Sequence, residues 1–181
     1  PEQQAKLIEQ TKIKNRGGRT AAGNVYEAFR INTGSIVMFK ATTAKYVYQK
    51  YGATSVLDPT AGWGGRMLGA WALGIDYTGV DTNTNMKIAY DNMMDMLDEY
   101  NNMGSLFEVE NCSLRMYWQD SLTVDYSKIE YDHLLTSPPY INMELYEHMS
   151  PWKDKDDFYD NFLLPLWRVT LDNMKTGGVA C

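Results

Sequence analysis

The amino-acid sequence predicts an α/β fold in which a doubly wound, mostly parallel sheet lies between two layers of helices. Short apolar runs alternate along the chain with longer segments of helical periodicity, which is the pattern of strand–helix–strand units. Each apolar run ends near a polar residue, and the first leads into a glycine-rich turn. Parallel strands bind ligands at their carboxyl ends. We therefore expect a three-layer α-β-α domain with its site at that edge of the sheet.

Four segments have the apolar spacing of helices: residues 42–51, 66–73, 83–103 and 158–174. Gly52 and Gly74 supply stops for the first two. Pro165 must begin, break or kink the fourth. The third carries a stripe that we expect to be buried, consisting of Ala89, Met93, Met96, Leu97 and Tyr100.

The predicted strands are residues 55–57, 77–80, 114–118, 131–135 and 179–181. The last of these is only the opening of a strand, because the chain stops there. The chain also begins without methionine. We therefore expect a fragment or a trimmed chain that is truncated at its carboxyl end.

Composition excludes several classes of protein. Hydrophobic residues make up 44% of the 181 residues and charged residues 22%, which excludes a disordered chain and a collagen-like repeat. No apolar run is long enough for a transmembrane helix, so no membrane partner is expected. Two cysteines, Cys112 and Cys181, do not make a disulfide framework. We expect an intracellular protein.

Charge divides the chain unevenly. Residues 1–20 contain five basic and two acidic groups, a net +3, and the remainder contains twelve basic and twenty-one acidic groups, a net −9. We therefore separate a polar, basic amino-terminal arm at residues 1–24 from a domain at residues 25–181. The arm either contacts a phosphate backbone or is a solvated terminus. The acidic domain is unlike a tight, nonspecific nucleic-acid binder.

The turn from Asp58 to Gly65 is the strongest local signal. Gly62 and Gly64 let the backbone turn sharply and approach a ligand without a Cβ in the way. A dinucleotide fingerprint requires a third glycine where this chain has Met67. The alternative interpretation is a tight turn that serves packing alone.

Two further carboxylates follow the next strands. Asp81 lies 23 residues after Asp58, where a carboxylate can accept both ribose hydroxyls of a bound nucleoside. Alternatively, Asp81 caps the helix predicted at residues 83–103, although Asn83 can cap that helix unaided. Asp120 follows the third strand and can accept a hydrogen bond from an adenine amino group.

The fourth strand leads into Ser137, Pro138, Pro139 and Tyr140. Two prolines make a rigid projecting loop, because they fix their own dihedrals and restrict the residue before them. The Ser137 hydroxyl and the loop carbonyls can accept hydrogen bonds from an exocyclic amino group, and Tyr140 offers a face for stacking a base. The alternative is a proline-rich turn with one surface tyrosine.

Together these motifs resemble those of the S-adenosylmethionine-dependent methyltransferases that act on exocyclic amino groups of DNA bases, the N4-cytosine and N6-adenine class. The D-x-x-x-G-x-G turn of that family matches Asp58 to Gly64, and its [DNS]-P-P-[YFW] loop matches residues 137–140 in full. Its aromatic residue before a helix resembles Phe39. The resemblance covers residues 37–181. The family's later strands and its recognition region have no counterpart in this sequence.

The resemblance implies a Rossmann-like methyltransferase fold, S-adenosylmethionine as cofactor, DNA as partner and a part in restriction–modification, in the cytoplasm or at the nucleoid. The family's cofactor-binding positions correspond to Phe39, Asp58, Thr60, Gly62, Gly64, Asp81 and Asp120. Its catalytic positions correspond to Ser137, Pro138, Pro139 and Tyr140. Ser137 favours N4 of cytosine, although serine also occurs in adenine enzymes of the family.

Other functions remain open. The substrate is alternatively an RNA base, or the chain is a cofactor-binding subunit that is inactive without a partner. A nicotinamide dehydrogenase is disfavoured by Met67. Methylation at C5 of cytosine requires a cysteine nucleophile, and neither Cys112 nor Cys181 lies in the proline loop. No Cys/His cluster has metal-ligand spacing, so no metal is expected.

Overall fold

The structure is a computed structural model that describes residues 38–103, 110–139, 141 and 152–181. All of these belong to one compact unit, Met38–Cys181. The predicted boundary between residues 24 and 25 lies outside the described residues, and so does Tyr140.

Helices and strands alternate along the described chain. The strands are β1 (Ser55–Asp58), β2 (Asp76–Asp81), β3 (Leu114–Trp118), β4 (His133–Leu134) and β5 (Val179–Ala180). The α-helices are α1 (Ala41–Tyr51), α2 (Gly65–Trp71), α3 (Lys87–Asn102), α4 (Lys155–Phe158) and α5 (Leu164–Asp172). A π-helical turn, Tyr159–Leu163, joins α4 to α5. None of the helices in the described ranges is long and apolar enough to cross a bilayer.

The strands form one parallel sheet in the order β3-β2-β1-β4-β5. From β1 the chain winds outward to β3, then returns to the other side of β1 for β4 and β5. In the register of the sheet, Leu57 of β1 stands beside Thr78 of β2 and Leu134 of β4. This reversal of direction at β1 is the doubly wound arrangement, and it confirms the predicted fold class.

Both faces of the sheet are covered. Successive side chains of a strand point to opposite faces, so Val56 and Leu57 enter different cores. Val56 packs in a core with residues of α1 and α2, including Tyr48 and Met67. Leu57 packs in a second core that includes Leu166 of α5. The sheet therefore lies between two helical layers, as the sequence predicted.

The strand predictions hold for β1, β2 and β3 within one residue at each end, whereas β4 is shorter than its predicted range of 131–135. Asp132, directly before β4, ties the chain to the start of β1. Its carboxylate accepts hydrogen bonds from the backbone N–H groups of Thr54, at 3.0 Å, and Ser55, at 3.1 Å, and from the Thr54 hydroxyl. The paired residues of β4 are His133 and Leu134, and the backbone N–H groups of Asp132 and Leu135 on either side donate to the carbonyl oxygens of Ser55 and Leu57 at 3.1 and 3.2 Å.

The predicted buried stripe of α3 is partly wrong. Tyr90 and Leu97 are its buried residues. Tyr90 points inward, where its hydroxyl donates to the carbonyl oxygen of Gly62 at 2.9 Å, and Leu97 lies on the same face two turns later. Three members of the predicted stripe are exposed, namely Ala89, Met96 and Tyr100.

The helical run before β5 contains a π-helical turn rather than a continuous α-helix. Pro165 lies in the first turn of α5, where its missing N–H and its ring disturb the hydrogen bonding of the preceding turn. Side chains spaced four residues apart nevertheless face the sheet before, within and after this turn. Phe158, Leu166 and Thr170 are buried and Phe162 is half-buried.

His133 is a core residue of β4, with 1% of its surface exposed. Its ring meets the edge of the Tyr48 ring at a centroid distance of 5.6 Å. Among the described groups, its Nε2 has no hydrogen-bond partner. Burial lowers the pKa of His133 below its ordinary value, so the folded protein holds a neutral imidazole.

This burial predicts a loss of stability in mild acid. Below about pH 6.5 the unfolded chain takes up a proton at His133 that the folded chain does not, so the free energy of unfolding falls as pH falls. The slope contributed by one such proton is at most about 1.4 kcal/mol per pH unit. Urea denaturation between about pH 7.5 and pH 5.5 measures it. His133→Phe keeps a ring against Tyr48 and should flatten the dependence.

Tyr131→Phe is the control for this experiment. It removes the hydrogen bond from the Tyr131 hydroxyl to the carbonyl oxygen of Thr170. Burial raises the pKa of Tyr131 to about 12, so this group does not titrate between pH 5.5 and 7.5. The control should lower stability at every pH and leave the slope unchanged. If the free energy of unfolding depended on pH equally steeply in His133→Phe and in the wild type, the pH dependence would not come from His133.

Candidate active site

The loops after β1 and β4 meet at the point where the sheet reverses direction. In doubly wound sheets this is the crevice in which ligands bind. The Thr60 and Thr136 hydroxyl oxygens, one in each loop, are 2.6 Å apart. Thr136 also donates a hydrogen bond to Asp58 Oδ1 at 3.1 Å. The structure therefore joins the glycine turn to the strand end that leads into the proline loop.

Asp58, at the end of β1, is fully buried. Its Oδ2 accepts hydrogen bonds from Arg66 Nε at 2.5 Å and from the Tyr77 hydroxyl at 2.7 Å. Burial and the neighbouring carboxylate raise the pKa of Tyr77 well above its ordinary value, so this hydroxyl remains a donor. The sequence predicted Asp58 as a cofactor contact. Here its carboxylate has no exposed surface, and it contributes to the site by holding the residues around it.

Arg66 is a site residue that the sequence analysis missed. It is 4% exposed, and its Nη2 donates to the carbonyl oxygen of Thr60 at 2.6 Å. Its guanidinium lies 5.1 Å from the centroid of the Phe39 ring, within the range of a cation–π contact. The sequence did contain one signal for Arg66, namely Asp58. A carboxylate at the end of a core strand needs a buried counter-charge nearby. Arg66 is the basic residue of α2, on the same buried face as Ala70.

The glycine turn adopts backbone conformations that favour glycine. Gly62 has a φ of 59° and Gly64 a φ of 82°, both in the left-handed region. A Cβ at Gly64 would also lie 2.6 Å from Met93 Cε. The Gly62 carbonyl oxygen accepts the hydroxyl of Tyr90, so α3 helps to hold the turn in place.

Asp81 connects the ends of β1 and β2. Its Oδ2 accepts the backbone N–H of Gly62 and its Oδ1 accepts the backbone N–H of Asn83, each at 2.8 Å. The Asn83 side chain makes no capping hydrogen bond, so the expectation that Asn83 caps alone is wrong. A carboxylate has about four lone-pair sites. Asp81 is half-buried, and each of its oxygens can still accept a further donor.

Asp120, after β3, is exposed and begins a 3₁₀ turn. Its Oδ1 accepts the backbone N–H of Leu122 at 2.9 Å. The next residue, Ser121, is buried and donates its hydroxyl to the carbonyl oxygen of Pro59. This bond ties the loop after β3 to the loop after β1.

The described part of the proline loop begins with Ser137, which is exposed, and continues with Pro138 and Pro139, which are half-buried. The backbone N–H of Ile141 donates to the carbonyl oxygen of Pro139 at 3.1 Å. Ile141 has a φ of 26°, which is unusual for a β-branched residue. Backbone strain of this kind costs about 1–3 kcal/mol and clusters at functional sites.

Polar groups therefore lie at or just beyond the carboxyl ends of four neighbouring strands, in one spatial order: Asp120 after β3, Asp81 at the end of β2, Thr60 after β1 and Ser137 after β4. Each carries an oxygen that can accept a hydrogen bond. The series suits an extended ligand with hydroxyl and amino donors. In the part of the chain that the structure describes, no group of three or more His, Cys, Asp and Glu side chains could hold a metal ion.

Comparisons with known proteins bear on the fold. No family model and no curated protein matches the chain. Among solved structures, the chain is similar to an S-adenosylmethionine-dependent methyltransferase from Clostridium acetobutylicum ATCC 824, with 14% identity, a TM-score of 0.50, and 89% of this chain and 56% of that chain covered. TehB from Haemophilus influenzae matches with 17% identity, a TM-score of 0.47, and coverage of 85% and 43%.

The chain spans about half the length of these two proteins. At 14% identity the similarity to the Clostridium methyltransferase shows a shared fold. That fold agrees with the strand order and the two helical layers described above.

The buried ion pair predicts a strong stability effect. Asp58→Asn should destabilise the protein by about 3–5 kcal/mol, because it leaves the Arg66 guanidinium buried without a counter-charge. Urea denaturation measures the change. Asp125→Asn is a matched control, because Asp125 pairs with Lys128 at 2.8 Å on the exposed surface and its loss should change nothing measurable. Equal denaturation midpoints for the two variants would show that the buried pair does not hold the turn.

Proposed function

We propose that the chain binds S-adenosylmethionine and transfers its methyl group to the exocyclic amino group of a flipped-out DNA base, N4 of cytosine or N6 of adenine. One observation carries the proposal. The glycine turn and the strand end that leads into the proline loop meet at the sheet's reversal point, joined by the hydrogen bond between Thr60 and Thr136. A cofactor held by the turn and a base held by the loop would therefore be neighbours.

The residues at the strand ends fit the cofactor. Asp81 retains lone pairs for the two ribose hydroxyls, and its orientation is set by the backbone N–H groups of Gly62 and Asn83. The exposed Asp120 can accept the adenine amino group. S-adenosylmethionine supplies a methyl group that is already activated by a sulfonium centre.

The chain's own contribution to the reaction is to position the acceptor. The Ser137 hydroxyl and the carbonyl oxygen of Pro138 accept hydrogen bonds from the amino group of the base. These bonds localise the nitrogen lone pair and hold it in line with the methyl group. Such alignment supplies much of the rate enhancement when the donor is already reactive. No covalent bond to the protein is needed: the nitrogen–methyl bond would form as the sulfur–methyl bond breaks, S-adenosylhomocysteine would leave with that electron pair, and the methylated nitrogen would lose its extra proton to water. Tyr140 would stack on the base, a prediction that lies outside the described residues.

The choice of DNA as substrate rests on the proline loop, which matches the catalytic loop of the DNA amino methyltransferases. The names of the two similar structures specify no nucleic acid. RNA and a small-molecule acceptor are therefore outcomes that the experiments must distinguish. A subunit that binds the cofactor and requires a partner for transfer is a further outcome.

Cofactor binding tests the first half of the proposal. Asp81→Ala should weaken binding of S-adenosylmethionine by about tenfold to a hundredfold, because hydrogen bonds to a charged group are worth about 1.5–3 kcal/mol. Titration calorimetry measures the dissociation constant. Asp76→Ala is the control, since Asp76 lies at the opposite end of β2 and accepts the backbone N–H of Ser113 at 2.7 Å. Equal affinities of the two variants would contradict the ribose assignment.

Methyl transfer tests the second half. The protein is incubated with isotope-labelled S-adenosylmethionine and unmethylated DNA, and in parallel with RNA, and the nucleosides are identified by mass spectrometry. N4-methylcytosine or N6-methyladenine from DNA is the expected product. Label in RNA alone, or cofactor binding without label in either polymer, would overturn the DNA proposal.

Within that assay, Ser137→Ala should bind the cofactor normally and transfer at least about tenfold more slowly, because it loses a hydrogen bond that strengthens as the amino nitrogen becomes cationic. Ser127→Ala is the matched control. Ser127 is exposed in the 3₁₀ turn Tyr126–Lys128, where its hydroxyl donates to Asp125 Oδ1. Full transfer by Ser137→Ala would remove Ser137 from the catalytic assignment.

A further inference from the structure

Either threonine could donate in the contact between Thr60 and Thr136, and the bond from Thr136 to the buried Asp58 favours one direction. A carboxylate only accepts, so the single hydroxyl proton of Thr136 is donated to Asp58 Oδ1. The 2.6 Å contact between the two threonine oxygens also requires a proton. Because the proton of Thr136 is already committed, that proton comes from Thr60.

Because the Thr60 hydroxyl donates its proton to Thr136, it can only accept any further hydrogen bond. A threonine hydroxyl has one proton and two lone pairs. The proton of Thr60 points to Thr136, and the carbonyl oxygen of Thr60 is occupied by Arg66 Nη2 at 2.6 Å. Thr60 is half-buried, so part of its surface remains accessible. A ligand atom that meets this hydroxyl must therefore be a donor.

The order of the strands indicates which part of a ligand that atom belongs to. Neighbouring strands are about 4.8 Å apart, so the edge from β3 to β4 spans about 14 Å. A ligand with its adenine at Asp120 and its ribose at Asp81 would place its next part at Thr60. In S-adenosylmethionine that part is the amino-acid end, which carries an ammonium donor and a carboxylate acceptor.

We infer that Thr136 is a positioning residue: by accepting the proton of Thr60 it makes Thr60 an acceptor for the α-ammonium group of S-adenosylmethionine. The inference rests on the proposed function. It also gives a reason why the residue directly before Ser137 carries a hydroxyl. The same side chain joins the loop that would hold the base to the turn that would hold the cofactor.

Two ligands that differ only at the amino-acid end test this inference. S-adenosylhomocysteine has the α-ammonium group, and 5′-methylthioadenosine has the same thioether nucleoside without the amino-acid end. Thr136→Val keeps the shape of the side chain and removes its hydroxyl, which frees the proton of Thr60. Calorimetry should show about tenfold weaker binding of S-adenosylhomocysteine, the effect of one charge-assisted hydrogen bond, with 5′-methylthioadenosine unchanged.

Companion variants separate positioning from a general structural effect. Thr136→Ser should restore the affinity for S-adenosylhomocysteine. Thr60→Val leaves the bond from Thr136 to Asp58 in place and should show the same ligand-selective loss, which keeps the inference testable if Thr136→Val does not fold. The double variant should lose no more than either single variant.

Thr54→Val is the matched control. Thr54 donates its hydroxyl to Asp132, so this variant removes the same kind of threonine–carboxylate bond at the opposite edge of the sheet. It should lower stability without changing either dissociation constant. An equal loss of both ligands in Thr136→Val, no loss of either, or failure of Thr136→Ser to restore binding would overturn the inference alone. Wild-type protein that binds neither ligand would overturn the proposed function itself.

Discussion

The ion pair between Asp58 and Arg66 is the interaction on which the rest of the site depends. Both side chains are almost wholly excluded from water, and each is costly to bury without the other. The pair is completed by hydrogen bonds from Tyr77 and Thr136 to the carboxylate, and by the bond from the guanidinium to the carbonyl oxygen of Thr60. This buried ion pair thus joins β1, β2, α2 and the segment that follows β4.

The loops at the carboxyl ends of the strands are connected to one another in the same way. Gly62 bonds to Asp81 between β1 and β2, Ser121 bonds to Pro59 between β3 and β1, and the two threonine hydroxyls meet between β1 and β4. A site built from such loops is organised before any ligand arrives. Preorganisation of this kind lowers the entropic cost of binding.

The sequence was sufficient for features that are local in the chain. Short patterns predict the ends of β1 and β2 at Asp58 and Asp81, the position of Asp120 shortly after β3, and the glycine turn. The structure places them at one edge of the sheet. Contacts between distant segments were not predictable in this way.

The sequence did not show hydrogen bonds between groups that lie far apart along the chain. Tyr90 is buried rather than Ala89 because its hydroxyl has an acceptor 28 residues earlier, at Gly62. The assignment of Asp58 to cofactor binding stays a prediction, and the motif did not reveal the hydrogen bonds that its buried carboxylate accepts from Tyr77 and Thr136, 19 and 78 residues away. Apolar periodicity contains no information about such hydrogen bonds.

The π-helical turn before α5 accommodates one residue more than a continuous α-helix would over the same stretch. The buried side chains follow one another at intervals of four residues, from Phe158 through Phe162 and Leu166 to Thr170. A regular α-helix advances about 100° per residue, so such a series drifts around it, whereas the wider π turn reduces the drift. Deletion of one residue within Tyr159–Leu163 would allow a continuous α-helix. It would keep Leu166 and Thr170 facing the sheet, because the seven remaining steps from Phe158 to Leu166 turn through about 700°, close to two full turns. Loss of one residue should therefore be tolerated better in this turn than within α5, where it would rotate the residues that follow by about 100°.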